Sequence, residues 1–122
     1  MNNTMLSGNV GKDPELRVTQ NGTKVATYSI AVYRANPKDK DNPFTDWFNV
    51  VAWGDEADLV MEHIKKGTGV LVSGGFRTRN YDDKDGKKVY VTELWQNDFW
   101  LAPKKAKKED NGSIFDDSEL PF

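Results

Sequence analysis

Trp47 and Trp53 stand six residues apart with Asn49 and Val51 at the alternate positions between them, and Arg77, Arg79 and Tyr81 repeat that spacing further on. In a strand, alternate side chains share a face. Each set therefore places flat rings or guanidinium groups along one side of a ribbon. A ring offers stacking surface worth roughly 1–3 kcal/mol to a nucleobase, and cations between the rings answer phosphates. That combination suits single-stranded nucleic acid, bound with little regard to sequence. The competing reading is packing, because Trp and Tyr in small β-proteins are commonly core or edge-covering residues. On the first ribbon Phe48, Val50 and Ala52 make the better core set, which leaves Trp47 and Trp53 for the outside.

Other chemistry finds little footing. The acids Asp39, Asp41, Asp82, Asp83 and Asp85 fall in polar loops, where solvated turns explain them. The single histidine, His63, has no second ligand four residues away. The chain has no cysteine, which excludes disulfides, thiolate metal sites and cysteine nucleophiles. No Gly-rich phosphate loop or nucleophile elbow is present. We expect no enzyme, no metal site and no cofactor.

The elements that must position these residues read as mostly β. Thr4–Val10, continued by 16–20 after Gly11 and Pro14, makes a first strand, and Asn21-Gly22 predicts a type I′ turn. Lys24–Arg34 alternates with period two, so Tyr28 and Tyr33 take opposite faces and one belongs to the core. Residues 35–43 form a polar loop, and Phe44–Trp53 is the third strand. Over 54–66 the period changes: Ala57, Val60, Met61 and Ile64 recur at three or four, acids open the segment and Lys65, Lys66 and Gly67 close it. That predicts one helix. A fourth strand over 69–79, with a bulge at Gly74-Gly75, and a fifth at Lys88–Leu101 complete a mainly β chain. The order β-β-β-α-β-β with a bent sheet is that of a five-stranded Greek-key barrel of the OB type, with the helix between strands three and four; an open sandwich is the alternative. Trp95, Phe99 and Trp100 on the last strand read mainly as core or subunit contacts, with contact to nucleic acid as the alternative.

A chain of 122 residues allows one domain, and its charges are unevenly placed. Residues 1–102 hold 13 Lys/Arg against 14 Asp/Glu, so the net charge of −2 hides a near-neutral body. Residues 103–115 carry a lysine cluster and read as a short flexible linker of mean reach about 17–20 Å. Residues 116–122 gather Asp116, Asp117, Glu119, Leu120, Pro121 and Phe122. Pro121 steers this acidic segment away from helix. A charged, extended peptide with an aromatic tip suits a basic-rimmed apolar pocket on another protein, against the plainer reading of a solvated, disordered terminus. No apolar run approaches the ~18 residues that span a bilayer, and the polar start is no signal peptide. We expect a cytoplasmic protein with no membrane association.

These motifs, taken in order, resemble the single-stranded DNA-binding proteins of bacteria and phages over nearly the whole chain. The carrying residues are the run 6–17, from Leu6-Ser7-Gly8 through Pro14-Glu15-Leu16-Arg17, then Asn21-Gly22, then Asp46-Trp47-Phe48-Asn49-Val50-Val51-Ala52-Trp53-Gly54. Lys65-Lys66-Gly67, Gly75-Phe76-Arg77-Thr78-Arg79-Asn80-Tyr81, Tyr90-Val91-Thr92-Glu93 and the acidic Pro-Phe end follow. The resemblance implies an OB fold, a homotetramer (a dimer is the smaller option), and a tip that docks replication, recombination and repair proteins. It puts Trp47, Trp53 and Tyr81 on base-stacking positions and Arg17, Lys66, Arg77 and Arg79 on or near basic contacts. Arg34 and Lys87 join them as further candidate cations. Asp55 departs from the pattern where a lysine is common. The first stacking aromatic, expected around Tyr33, is not cleanly aligned, and Phe44 is its candidate substitute. An OB module for RNA, tRNA or another ligand, or a tail-based protein adaptor, is the alternative.

Overall fold

The computed structural model describes residues 1–103; the expected linker beyond Pro103 and the tip at 116–122 lie outside the described residues. Six strands and one helix run in the order β1 (Thr4–Val10), β2 (Glu15–Val18), β3 (Lys24–Arg34), β4 (Phe44–Trp53), α1 (Asp55–His63), β5 (Gly69–Asp82) and β6 (Lys88–Leu101). The sheet order is β1-β5-β6-β4-β3-β2, and a further pairing of β1 with β3 at Asn9 and Val10 closes five of the strands into a ring. The expected first strand is divided in two, because Gly11 and Pro14 interrupt it: β1 pairs with β5 and β3, whereas β2 pairs with β3 alone. The remaining seam is a short parallel pairing, Val50 with Leu94 and Val51 with Trp95.

Alternation decides what fills the ring. Ala26, Tyr28 and Ile30 of β3, Val50 and Ala52 of β4, Val70 and Val72 of β5 and Leu94 of β6 point inward and are buried. Ala57, Val60 and Ile64 from the helix segment close one end of this core. Tyr28 is thus the core member of the tyrosine pair, and Tyr33 stands exposed.

Three local expectations change. The helix ends at His63 rather than 66. Ile64 turns extended and buries its side chain, its N–H still reaching the Val60 carbonyl at 2.9 Å. Burial of a β-branched residue outweighs continuation into solvent, and residues 65–68 form a separate tight turn in which Gly67 takes φ +88°. The turn at Asn21-Gly22 is not type I′, because only Gly22 has positive φ; a Thr19 N–H to Thr23 carbonyl bond of 2.8 Å closes a longer loop around it. The strand after the helix runs on to Asp82, so it carries Tyr81 within its ladder. The expected bulge is present, as a register shift between Ser73 and Gly74.

Candidate nucleic-acid interface

The strand pairing brings the two aromatic and basic ribbons onto one surface. On β4, Trp47 and Trp53 face outward with Asn49, and the two residues are 60% and 38% exposed. On β5, Arg77, Arg79 and Tyr81 also face outward, opposite Glu93, Val91 and Val89 of β6. Between the two ribbons β6 contributes Trp95, which pairs with Val51 on one side and Gly75 on the other. The outer face of β3-β4-β6-β5 is therefore continuous.

Each ring on this face has a support. The Trp47 indole lies over Gly11, where an added Cβ would run into it. Trp53 leans on Trp95, with ring centroids 5.1 Å apart and planes at 45°, a tilted arrangement worth about 0.5–1.5 kcal/mol beyond burial. The Arg77 guanidinium covers the Trp95 ring at 4.7 Å, and Arg79 lies 6.0 Å from the ring centre of Tyr81. Gly74 lets β5 approach the Trp95 backbone, since a Cβ there would collide with the Trp95 carbonyl. The bulge thus draws the β5 backbone close to the strand that carries the central indole.

Two open grooves meet at Trp53. The larger, about 760 Å³, is lined by Lys12, Arg17, Ser29, Asn49, Trp53 and Arg79 among others. The smaller, about 690 Å³, runs past Trp53, Phe76, Arg77 and Trp95. Beneath the larger groove, the buried Tyr28 hydroxyl donates to Gln96 Oε1 at 2.5 Å, and Gln96 Nε2 donates to Glu56 Oε2 at 2.7 Å. Burial, with Glu56 nearby, pushes the Tyr28 phenol well above its usual range. It stays protonated at neutral pH and ties β3, β6 and the helix together.

The cations differ in what they already hold. Arg79 makes a two-pronged bond to Glu93, Nε to Oε1 at 3.0 Å and Nη2 to Oε2 at 3.3 Å, and this carboxylate raises the Arg79 pKa. Arg34 is bound in the same way by Asp46, at 2.6 and 3.3 Å, and Asp46 raises its pKa too. Arg17 has only a loose contact with Glu15 at 4.0 Å and lines the larger groove.

The candidates therefore fall into groups. Trp47, Trp53, Arg17, Arg77, Arg79 and Tyr81 share the face. Tyr33 lies on the same side of β3 but at the far end of the β3–β4 hairpin, opposite Thr45. Phe44 and Arg34, paired with each other across that hairpin, alternate to its other side, and the Arg34 guanidinium sits 5.1 Å over the Phe44 ring. Lys66 lies in the turn after the helix, its backbone N–H bonded to Asp13 Oδ1 at 2.8 Å, and so adjoins the Lys12 loop. Lys87 is at the tip of the β5–β6 arm, in the turn held by Asp83.

Three residues of the face were not singled out from sequence: Lys12, Glu93 and Trp95. Trp95 was read as a core or subunit residue, yet it is only half-buried and underpins Trp53. Among the described residues no group of three His, Cys, Asp or Glu is placed to hold a metal ion, and no helix is long and apolar enough to cross a membrane.

Comparison with known proteins agrees with this geometry. A single-stranded DNA-binding protein of Bacillus cereus is 42% identical over 115 residues, covering 93% of this chain and 68% of that protein. Single-stranded DNA-binding protein 1 of Xylella fastidiosa is 38% identical over 118 residues, covering 93% and 84%. The fold is similar to the solved Plasmodium falciparum SSB complex with ssDNA, with a TM-score of 0.72 and 29% identity over 84% of this chain and 96% of that one. Residues 1–101 match the single-strand binding protein family, and the chain belongs to that family.

Proposed function

We propose that this chain binds single-stranded DNA without sequence preference, stacking bases on Trp47, Trp53 and Tyr81 and meeting phosphates with Lys12, Arg17 and Arg77. The carrying observation is that these three rings stand exposed on a single sheet face, with Arg77 on the strand of Tyr81 and Lys12 and Arg17 along the groove beside Trp53. Stacking accepts any base, because every base has a π-face. Arg79, Lys66 and Lys87 border this path and Tyr33 extends it along the β3–β4 hairpin, whereas Phe44 and Arg34 stand on the hairpin's other side and are left out of it. The family is one of DNA-binding proteins, not enzymes. Titration with oligo(dT) read by tryptophan fluorescence tests the reading, with poly(rU) and duplex DNA as comparators. Saturable quenching by oligo(dT) at lower concentration than by either comparator is the expected result. Equal response to poly(rU) would favour the RNA-binding alternative.

The charge state of the face sets a second expectation. Lys12, Arg17 and Arg77 carry no two-pronged acidic partner among the described residues, whereas Arg34 and Arg79 do. With three phosphates neutralised per protomer at about 0.7 each, log K should fall with log[salt] at a slope of about −2. A measured slope steeper than about −4 would overturn this count.

The wider role follows the same reading. We propose protection of single strands during replication, recombination and repair in the cytoplasm, by a homotetramer or dimer. Residues 116–122 would recruit partner proteins and, being acidic, compete with DNA for the cationic face. Deleting 116–122 should tighten oligo(dT) binding at low salt and converge with the full chain at high salt. Identical affinities at low salt would exclude the competition.

A further inference from the structure

Glu93 is an anomaly on a surface that answers phosphate. It is 7% exposed, lies on the outer side of β6, and lines the larger groove beside Arg79 and Trp53. A carboxylate there repels the ligand that the face is built for. Its contacts explain its presence. Both oxygens accept from Arg79, and Oε1 also accepts a longer bond of 3.4 Å from the Trp95 indole N–H. Trp95 in turn supports Trp53 on one side and is covered by Arg77 on the other. Two arginines and two tryptophans of the face are thus tied, directly or through one neighbour, to a single buried acid.

We propose that Glu93 is a positioning residue which retains Arg79 when DNA is bound and fixes Trp95 as the support of Trp53. The face then binds mainly by stacking, with one cation fewer than its sequence counts. This rests on the single-stranded DNA reading above. The physical argument is an exchange of partners. A phosphate in the open groove remains hydrated and screened by salt, whereas Glu93 is desolvated and its two oxygens match the guanidinium fork. Moving Arg79 to phosphate would strand a buried carboxylate without its counter-charge, which is strongly unfavourable. The pair therefore stays closed.

The test is a salt titration of short oligo(dT) binding to the full chain and to two variants. Glu93→Gln keeps the shape of the side chain but releases Arg79, so the slope of log K against log[salt] should steepen by about 0.7 per protomer. The tryptophan emission of the unbound protein should shift as the Trp95 anchor changes. A purely structural role would lower affinity at every salt concentration and leave the slope as it was; that result in a folded Glu93→Gln protein overturns the proposal. The double variant Glu93→Gln, Arg79→Gln removes both charges, and its slope should equal that of the original chain. A slope shallower by about 0.7 would mean that Arg79 already neutralised a phosphate, and would overturn the proposal even if the single variant did not fold. Failure of the unaltered chain to bind oligo(dT) at all would instead overturn the functional reading.

Discussion

Replacing Trp47 and Trp53 together with alanine should weaken oligo(dT) binding by about 2–6 kcal/mol, at least thirty-fold, while leaving the protein folded. The two indoles lie on one strand about 20 Å apart at strand rise, so they serve different nucleotides. They also share no packing partner: Trp47 rests over Gly11, and Trp53 leans on Trp95. Losses at such separated sites should add to within a few tenths of a kcal/mol. Trp47→Ala alone should show the cleaner effect, because that ring is the more exposed and its removal opens no core cavity. Trp53→Ala should carry a small stability cost as well, since it removes the ring pair with Trp95. Phenylalanine at either position should recover part of the affinity. Fluorescence anisotropy of a labelled oligonucleotide, with circular dichroism as the folding control, checks all of these. Unchanged affinity in the folded double variant would remove the stacking mechanism.

Leu94→Ala should have the largest effect on the fold, costing about 2–5 kcal/mol of stability. Leu94 is fully buried in the core cluster and pairs with Val50 across the parallel seam, where only two residues on each side complete the ring. Truncation would leave a cavity that the flanking residues are poorly placed to fill, because Glu93 and Trp95 on either side point outward. In a domain of this size each kcal/mol moves the midpoint by about 4–8 °C, so a fall of roughly 10 °C or more is expected in thermal unfolding. Oligo(dT) should raise the midpoint again by mass action, because it binds the folded form. A variant that melts at the original temperature would show that the seam contributes little.

How much of this could be read from the residues depended on whether local pattern or register was decisive. The outward placing of Trp47 and Trp53 was legible because Val50 and Ala52, at the alternate positions, are unmistakable core residues. The bulge was legible from Gly74-Gly75. The end of the helix was not, because Ile64 continues the helical spacing while its side chain is drawn into the barrel. Nor was the pairing of Arg79 with Glu93, fourteen residues away along the chain. Which residue of β6 faces which residue of β5 depends on the one-residue shift at Ser73/Gly74, and such a shift moves every later side chain relative to its neighbour. The half-exposed, outward position of Trp95 was hidden for the same reason: its face is fixed by register. Phe44 and Arg34 share the strands that carry Trp47 and Tyr33, yet a parity of one puts them on the opposite side of the hairpin.

The seam between β4 and β6 also bears on how the molecule comes into being. Strands made early, β3 and β4, can pair as a hairpin while synthesis continues, but β4 meets its other neighbour only after about forty further residues have been added, from Trp53 to Leu94. Until β6 arrives, the emerging polypeptide presents the indole at 53 with no tryptophan beneath it and the guanidinium at 79 with no acid to hold it. The stacking face is therefore ordered only when the last strand is in place, because the ring under Trp53 and the acid that holds Arg79 both come from it.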